Sequence, residues 1–144
     1  MQTRRILLIG TMLAAGLAAC ASMEDQTVRM SANLTGANEV PPVQTTGAGN
    51  ATVTLDKESK TLKWIVAYRG LTGPARAAHF HGPAAPGANA GVVVPITASE
   101  SPMQGSATLN DAQIADLLAG RWYINIHTAA HAGGEIRGQV VGAN

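Results

Sequence analysis

The sequence of 144 residues is poor in reactive and aromatic side chains, with one cysteine, one phenylalanine, two tyrosines and two tryptophans. A single cysteine excludes an internal disulfide. Charged residues make up only 13% of the chain and form no basic stripe interleaved with aromatics, so nucleic acid is not an expected partner. Neither a G-x-S-x-G elbow nor a carboxylate pair suited to acid–base chemistry is present, which argues against a hydrolase.

The first twenty residues, MQTRRILLIGTMLAAGLAAC, have the pattern of a secretory signal peptide. Arg4 and Arg5 give it a positive start, and the apolar run 6–13 is too short to span a bilayer stably. Residues 17–20, LAAC, resemble the lipobox of bacterial lipoproteins. That resemblance implies cleavage of residues 1–19 and lipidation of Cys20, whereas the alternative is an ordinary secreted protein with a free thiol.

The residues that follow Cys20 bear on where the anchor is held. In similar bacterial proteins an aspartate at this place retains the product in the inner membrane, whereas this chain has Ala21 and Ser22. We therefore expect a lipid-anchored protein of the cell envelope, held in the outer membrane and facing the periplasm. Residues 20–26 are then the lipidated cysteine and a tether, and residues 27–144 are enough for one domain with a sizeable core.

Beyond the tether, the hydrophobic pattern has a period of two, in short runs separated by Gly, Pro, Asn and Asp. This pattern is typical of an antiparallel β protein. It predicts an all-β fold, namely a Greek-key β-sandwich or flattened barrel with one short helix. The predicted strands are 27–34, 48–56, 61–69, 76–82, 91–97, 104–109, 121–128 and 134–141.

The helix is predicted from the segment NDAQIADLLAG, between the sixth and seventh strands. Asn110 is the expected N-cap, and Gln113 is its expected reciprocal partner. The expected apolar face and the glycine terminator are Ile114, Leu117, Leu118 and Gly120.

All four histidines lie in two short segments, HFHGPAAPGANAGVVV and NIHTAAHAGGEIRG. Successive side chains of a strand point to opposite faces, so His79 and His81 share one face and can chelate a single ion. His127 lies where a later strand gives way to a turn of small residues. Because that turn could bring His131 back toward the same ion, all four histidines are candidate metal ligands.

Imidazole ligands suit copper or zinc. Four protein ligands would close the site, whereas three would leave an open position at which chemistry can occur. The alternative is that the four histidines are ordinary strand and turn residues that face solvent or form hydrogen bonds. Their concentration into two pairs beside glycine-rich turns favours the metal site.

Three segments of the chain together resemble the CHRD domain, a family first named from chordin. They are LTGANEVPPVQTTGAGNATVTL, GLTGPARAAHFHGPAAPGANAGVVV and LLAGRWYINIHTAAHAGGEIRGQV. Their order and spacing are those of the family and cover nearly all of residues 27–144. The resemblance implies a β-sandwich-like domain of the kind found in secreted bacterial proteins and in chordin, and the chordin connection suggests a surface module that binds a protein or carbohydrate partner.

The segment HFHG is also similar to the copper-binding H-x-H segment of Cu/Zn superoxide dismutases, which are Greek-key β-barrels. By that resemblance His79 and His81 match the copper-binding pair, and His127 matches the histidine of a late strand. The chain departs from that family because it has no bridging histidine with a zinc loop, no disulfide pair and no matching late-loop arginine. The resemblance therefore implies a mononuclear copper site rather than a copper–zinc pair.

Further residues are candidates for a supporting role at this site. Glu135 is a candidate acceptor for a histidine N–H, which would fix the ring orientation; an ion pair with Arg137, two residues along the strand, is the alternative. Tyr123 and Met103 are candidate outside contributors, against the alternatives of a half-buried aromatic and a strand-edge residue. Both tryptophans are expected in the core.

Taken together, the sequence predicts an outer-membrane-anchored copper-binding protein that sequesters, buffers or delivers copper, with zinc as the second possible metal. A copper-dependent redox enzyme and a metal-free interaction module are the alternatives, so enzymatic activity is left open. The expected partners are the metal ion, the membrane through the lipid anchor, and a protein whose identity the sequence does not indicate.

Overall fold

The computed structural model describes residues 26–143, in which nine antiparallel strands form one sheet that curves into a nearly closed barrel. The predicted signal peptide (1–19), Cys20 and nearly all of the tether lie outside the described residues. Within residues 26–143, no helix combines the length and apolarity that crossing a membrane requires. The strands are β1 (Thr27–Thr35), β2 (Ala48–Asp56), β3 (Thr61–Arg69), β4 (Ala77–His81), β5 (Val92–Ile96), β6 (Met103–Thr108), β7 (Tyr123–His127), β8 (Ile136–Gln139) and β9 (Val141–Gly142).

The strands follow the order β5-β4-β7-β8-β1-β2-β3-β6 across the sheet, and β9 pairs with β1. The end strands β5 and β6 lie against each other without ladder hydrogen bonds between them. Around the barrel β3, β6, β5 and β4 are therefore neighbours, which is the Greek-key order. The predicted all-β class, with one short helix, is confirmed.

The barrel interior is filled by the apolar side chains that alternation places on one face of each strand. In β3, Leu62, Trp64 and Val66 are buried, while Ile65 between them is exposed. The Phe80 ring joins the two tryptophans, with its centroid 5.2 Å from that of Trp64 and 5.9 Å from that of Trp122. The expectation that both tryptophans lie in the core is confirmed, and this aromatic cluster backs the strand β4 that carries two histidines.

Helix α1 (Asp111–Leu118) begins and ends as its sequence predicts. The Asn110 side chain accepts a hydrogen bond from the Gln113 N–H at 2.9 Å, and the Gln113 side chain accepts one from the Asn110 N–H at 3.0 Å. The predicted apolar face is wrong at Leu118, which is 47% exposed, whereas Leu117 is 1% exposed. Consecutive residues of a helix point about 100° apart, and α1 rests on the barrel by one side only.

The last predicted strand, 134–141, divides into β8 and β9 at Val140. The Val140 N–H donates to the Trp122 carbonyl at 2.9 Å, and the side chain of Val140 is buried. β8 pairs with β7 and, at Arg137, with Thr35 of β1, whereas β9 pairs with β1 near Met30. The break therefore separates a strand that pairs with both neighbours from one that pairs with β1 alone.

Candidate metal centre

The pairing of β4 with β7 brings three histidines together on the outer face of the barrel. Ala77 lies opposite His127 and His79 lies opposite Asn125, so His79 and His127 are diagonal neighbours on one face. His81 lies two residues further along β4 on that same face. The ligand nitrogens of the three histidines lie within 4.8 Å of one another, and we call this group the histidine cluster.

The spacing of the ring nitrogens suits one metal ion. His79 Nδ1 lies 3.2 Å from His127 Nε2. Two imidazole nitrogens that each bind an ion at about 2.0–2.1 Å lie roughly 3 to 4 Å apart, according to the angle between them. A separation of 4.8 Å therefore has to shrink by about 1 to 2 Å for all three nitrogens to bind.

Two of the rings are oriented by backbone carbonyl groups. His81 Nδ1 donates to the Ala90 carbonyl at 2.9 Å, and His127 Nδ1 donates to the Ala132 carbonyl at 3.0 Å. A carbonyl only accepts, so each bond places the proton on Nδ1 and leaves Nε2 as the nitrogen that faces the cluster. Metal-binding histidines typically donate their second ring N–H to such an acceptor.

Asn125 occupies the space next to His81 on the cluster side. Its Oδ1 lies 3.0 Å from His81 Nε2, and both residues are buried. Because a neutral His81 ring that donates through Nδ1 carries no proton on Nε2, this nitrogen can only accept a hydrogen bond, and an ion that binds there displaces the Asn125 amide. Asn125 therefore occupies the side of His81 at which the ion would bind. Strand alternation places Asn125 on the same face as His127.

The environment favours neutral rings at His79 and His127. Burial lowers the pKa of His79, and the nearby His127 and His81 rings lower it further. Burial also lowers the pKa of His127; the Ala132 carbonyl opposes this effect, and His81 adds to it. Because only the neutral ring has a lone pair to offer, both histidines stay competent as ligands at neutral pH.

Solvent reaches two of the three histidines in the cluster. His81 is buried, whereas His79 and His127 are half-buried. Three protein nitrogens leave at least one position of a bound ion for an outside ligand. The arrangement is thus suited to an ion that is taken up and released, or to one that meets a small molecule.

Tyr123 lies between His81 and Arg137. Its ring stacks on His81 with a centroid separation of 4.8 Å and an interplanar angle of 3°. The Arg137 guanidinium carbon lies 3.4 Å from the centroid of the Tyr123 ring. Tyr123 is therefore in contact with His81 and is buried, not half-buried, and its contribution to a metal site stays a prediction.

Glu135 does not have the partner that the sequence suggests. Its carboxylate accepts hydrogen bonds from the hydroxyls of Thr45, Thr72 and Thr128 and from the Thr72 N–H, at 2.6 to 2.9 Å. Within residues 26–143 it has no hydrogen bond to a histidine and no ion pair with Arg137. Burial opposes ionisation, but the four hydrogen bonds outweigh it and lower the pKa of Glu135 to about 2. Hydrogen bonds from the loop residues Thr45 and Thr72 therefore take the place of the expected contact between Glu135 and a histidine ring.

Two other candidates lie apart from the histidine cluster. The backbone of His131 forms a tight turn with Thr128, and the side chain is not a member of the group, so its role as a fourth ligand stays a prediction. Met103, the first residue of the end strand β6, is buried in the core opposite Val66 of β3.

Glu39, in the segment NEVPP, is a buried residue near the site that the sequence did not single out. It is 5% exposed, and its Oε1 has no hydrogen-bond partner among the described residues. Burial raises the pKa of Glu39 to about 7, against the lowering effects of the Arg137 charge and the Val40 N–H. Gly134, with φ of +126°, packs against this carboxyl, and a Cβ there would overlap it. The segment NEVPP has no alternation of apolar residues, so the sequence gives no sign that Glu39 is buried.

Comparison with known proteins identifies a family but no individual relative. A family model described as the CHRD domain matches residues 30–140, which include the whole histidine cluster and His131. No curated protein and no solved structure matches the chain significantly.

Proposed function

This chain belongs to the CHRD domain family, and we propose that it binds one copper ion through His79, His81 and His127. The observation that carries the proposal is the pair of facing nitrogens, His79 Nδ1 and His127 Nε2, 3.2 Å apart. The carbonyls that hold the Nδ1–H groups of His81 and His127 support it, because they turn both Nε2 atoms toward the cluster. The donor set of three imidazoles suits copper, with zinc as the competing metal.

The physiological role we propose is copper sequestration, buffering or delivery in the cell envelope. Half-buried ligands on one side of the cluster favour exchange of the ion with a partner or with solvent. The predicted signal peptide and the LAAC segment ending at Cys20 support an anchor in the outer membrane, facing the periplasm. Fatty-acid labelling of the wild type but not of a Cys20→Ser variant tests the anchor; labelling that survives the substitution would exclude it.

A metal-content experiment tests the binding proposal. Protein purified after exposure to Cu(II), Cu(I) or Zn(II) should retain one copper per chain, and His79→Ala and His127→Ala should each lose it. His131→Ala is a matched control, because it removes an imidazole that lies outside the cluster. Retention of copper by His79→Ala and His127→Ala would reject the site, and an apoprotein unable to hold metal would favour the interaction-module alternative.

A redox enzyme is the second candidate, favoured by the position that three ligands leave open. It requires turnover of superoxide or another small oxidant far above that of free copper. That activity should disappear in His79→Ala together with the metal. Copper binding without such turnover supports storage or delivery.

A further inference from the structure

The loop that follows β4 carries the carbonyl that orients His81. This segment, residues 83–91, is the β4–β5 loop, and most of its residues are exposed. The Ala90 carbonyl accepts from His81 Nδ1 and also from the Tyr123 hydroxyl, at 2.9 and 3.3 Å. The Ala90 N–H donates to the same hydroxyl at 3.2 Å. The orientation of the His81 ring therefore depends on where this loop is held.

Arg137 of β8 holds the adjacent part of the loop. Its Nη1 donates to Asn89 Oδ1 at 2.7 Å, and its Nη2 donates to the Ala88 carbonyl. Three consecutive loop residues, 88–90, are thus fixed by side chains from β8, β7 and β4. A guanidinium carries its donors in a planar fork, so two bonds to one segment define the position of that segment more tightly than one bond does.

The charge of Arg137 is not used in an ion pair. Arg137 is 2% exposed, and no acidic side chain lies within salt-bridge distance of it in residues 26–143. Glu39 lies close enough for the Arg137 charge to lower its pKa, but the two side chains form no salt bridge. Burial of the guanidinium without a close ion pair costs free energy. Neutral acceptors and the face of Tyr123 offset part of that cost.

We propose that Arg137 is a positioning residue of the metal centre: through the Ala88–Ala90 segment and Tyr123 it fixes the ring of His81. The inference rests on the proposed function, because positioning His81 matters only if this ring binds the ion. One route passes along the loop to the Ala90 carbonyl. The other passes through the ring stack, in which Tyr123 is held between the guanidinium and the imidazole.

The test uses protein secreted from the full chain with Cys20→Ser, which removes the predicted lipidation site. Asn89→Ala removes the acceptor of Arg137 Nη1 at an exposed position, and Asn89→Asp restores an acceptor while losing the bond from Asn89 Nδ2 to the Val40 carbonyl. Tyr123→Phe keeps the ring stack and removes both hydroxyl contacts with Ala90. Arg137→Gln removes the guanidinium, and Arg69→Gln removes one exposed cation elsewhere as a control.

The first readout needs no metal. Solvent exchange of the His81 Nδ1–H, followed by NMR in the apoprotein, should be at least about tenfold faster in Asn89→Ala and Tyr123→Phe. It should be unchanged in Asn89→Asp and in the Arg69→Gln control. If Arg137→Gln does not fold, the Asn89 and Tyr123 variants decide the question, because they leave the buried charge in place.

The second readout is copper binding. Affinity should fall about ten- to a hundredfold in Asn89→Ala and Arg137→Gln, with altered Cu(II) EPR parameters, and should return to wild type in Asn89→Asp. Wild-type exchange rates and spectra in Asn89→Ala, Tyr123→Phe and a folded Arg137→Gln would overturn the inference. If the wild type binds no copper, the proposed function fails, and the exchange rates alone then decide whether Arg137 fixes the His81 ring.

Discussion

The buried carboxylate of Glu135 makes the stability of the barrel dependent on pH. Four hydrogen bonds lower the pKa of Glu135 from 4.5 to about 2 against the opposing effect of burial. A carboxyl whose pKa is lowered by folding stabilises the fold at pH values above the pKa that it has in the unfolded chain. This stabilisation is lost as the pH falls from 4.5 toward 2. In full, the difference corresponds to about 3 kcal/mol. Water near the exposed Thr72 and the half-buried Thr45 screens part of this difference, so we expect about 1 to 2 kcal/mol.

Replacing Glu135 by glutamine tests this reasoning. The neutral amide offers one acceptor oxygen in place of two, so Glu135→Gln should lower the free energy of unfolding by about 1 to 2 kcal/mol at pH 7. The deficit should shrink to a small part of this value at pH 2, where about half of the wild-type carboxyl is itself protonated in the folded state. Urea unfolding followed by the fluorescence of the buried tryptophans measures it, with the exposed Glu58→Gln as a matched control. A deficit that is the same at pH 7 and pH 2 would refute the assignment of the ionised form.

Three further predictions concern the core, a buried acid and the ligands. Phe80→Ala should lower the free energy of unfolding by about 3 to 5 kcal/mol, because it leaves a cavity between the two tryptophans that the Phe80 ring contacts. Urea unfolding measures this loss, and a loss below about 1 kcal/mol would contradict the packing. Burial raises the pKa of Glu39 to about 7, so its ionised form destabilises the fold increasingly as the pH rises from 4.5 through 7. Glu39→Gln should therefore raise the melting temperature at pH 8 and leave it nearly unchanged at pH 4, and the opposite order would refute it. The lowered pKa values of His79 and His127 mean that stability of the apoprotein falls as the pH drops below 6.5; an acid titration of the melting temperature should show this slope in the wild type and a reduced one in His79→Ala.

The alternation of apolar residues predicted most of the fold, because a strand with one buried face repeats every two residues. The bounds of β2 and β3 agree with the predicted 48–56 and 61–69, since both strands pair along their whole length. The same alternation placed His79 and His81 on one face. It did not predict the break at Val140, beyond which the segment pairs with β1 alone.

The contacts around the histidines could not be read from the sequence. The Ala90 and Ala132 carbonyls that orient two rings are backbone groups of loops, and any residue type offers a carbonyl. The partners of Glu135 lie up to 90 residues away in sequence, at Thr45, and the position of that loop is set by tertiary packing. For the same reason, spacing suggested a pair of Glu135 with Arg137, whereas each residue has other partners.

The most direct test of the account is an equilibrium titration of the apoprotein with Cu(II), followed by EPR at one equivalent. A copper centre formed by the histidine cluster should give a single site whose nitrogen hyperfine pattern reports imidazole ligands, unchanged in His131→Ala and lost in His127→Ala. A spectrum of loosely bound copper in the wild type, or a site that survives in His127→Ala but not in His131→Ala, would contradict it.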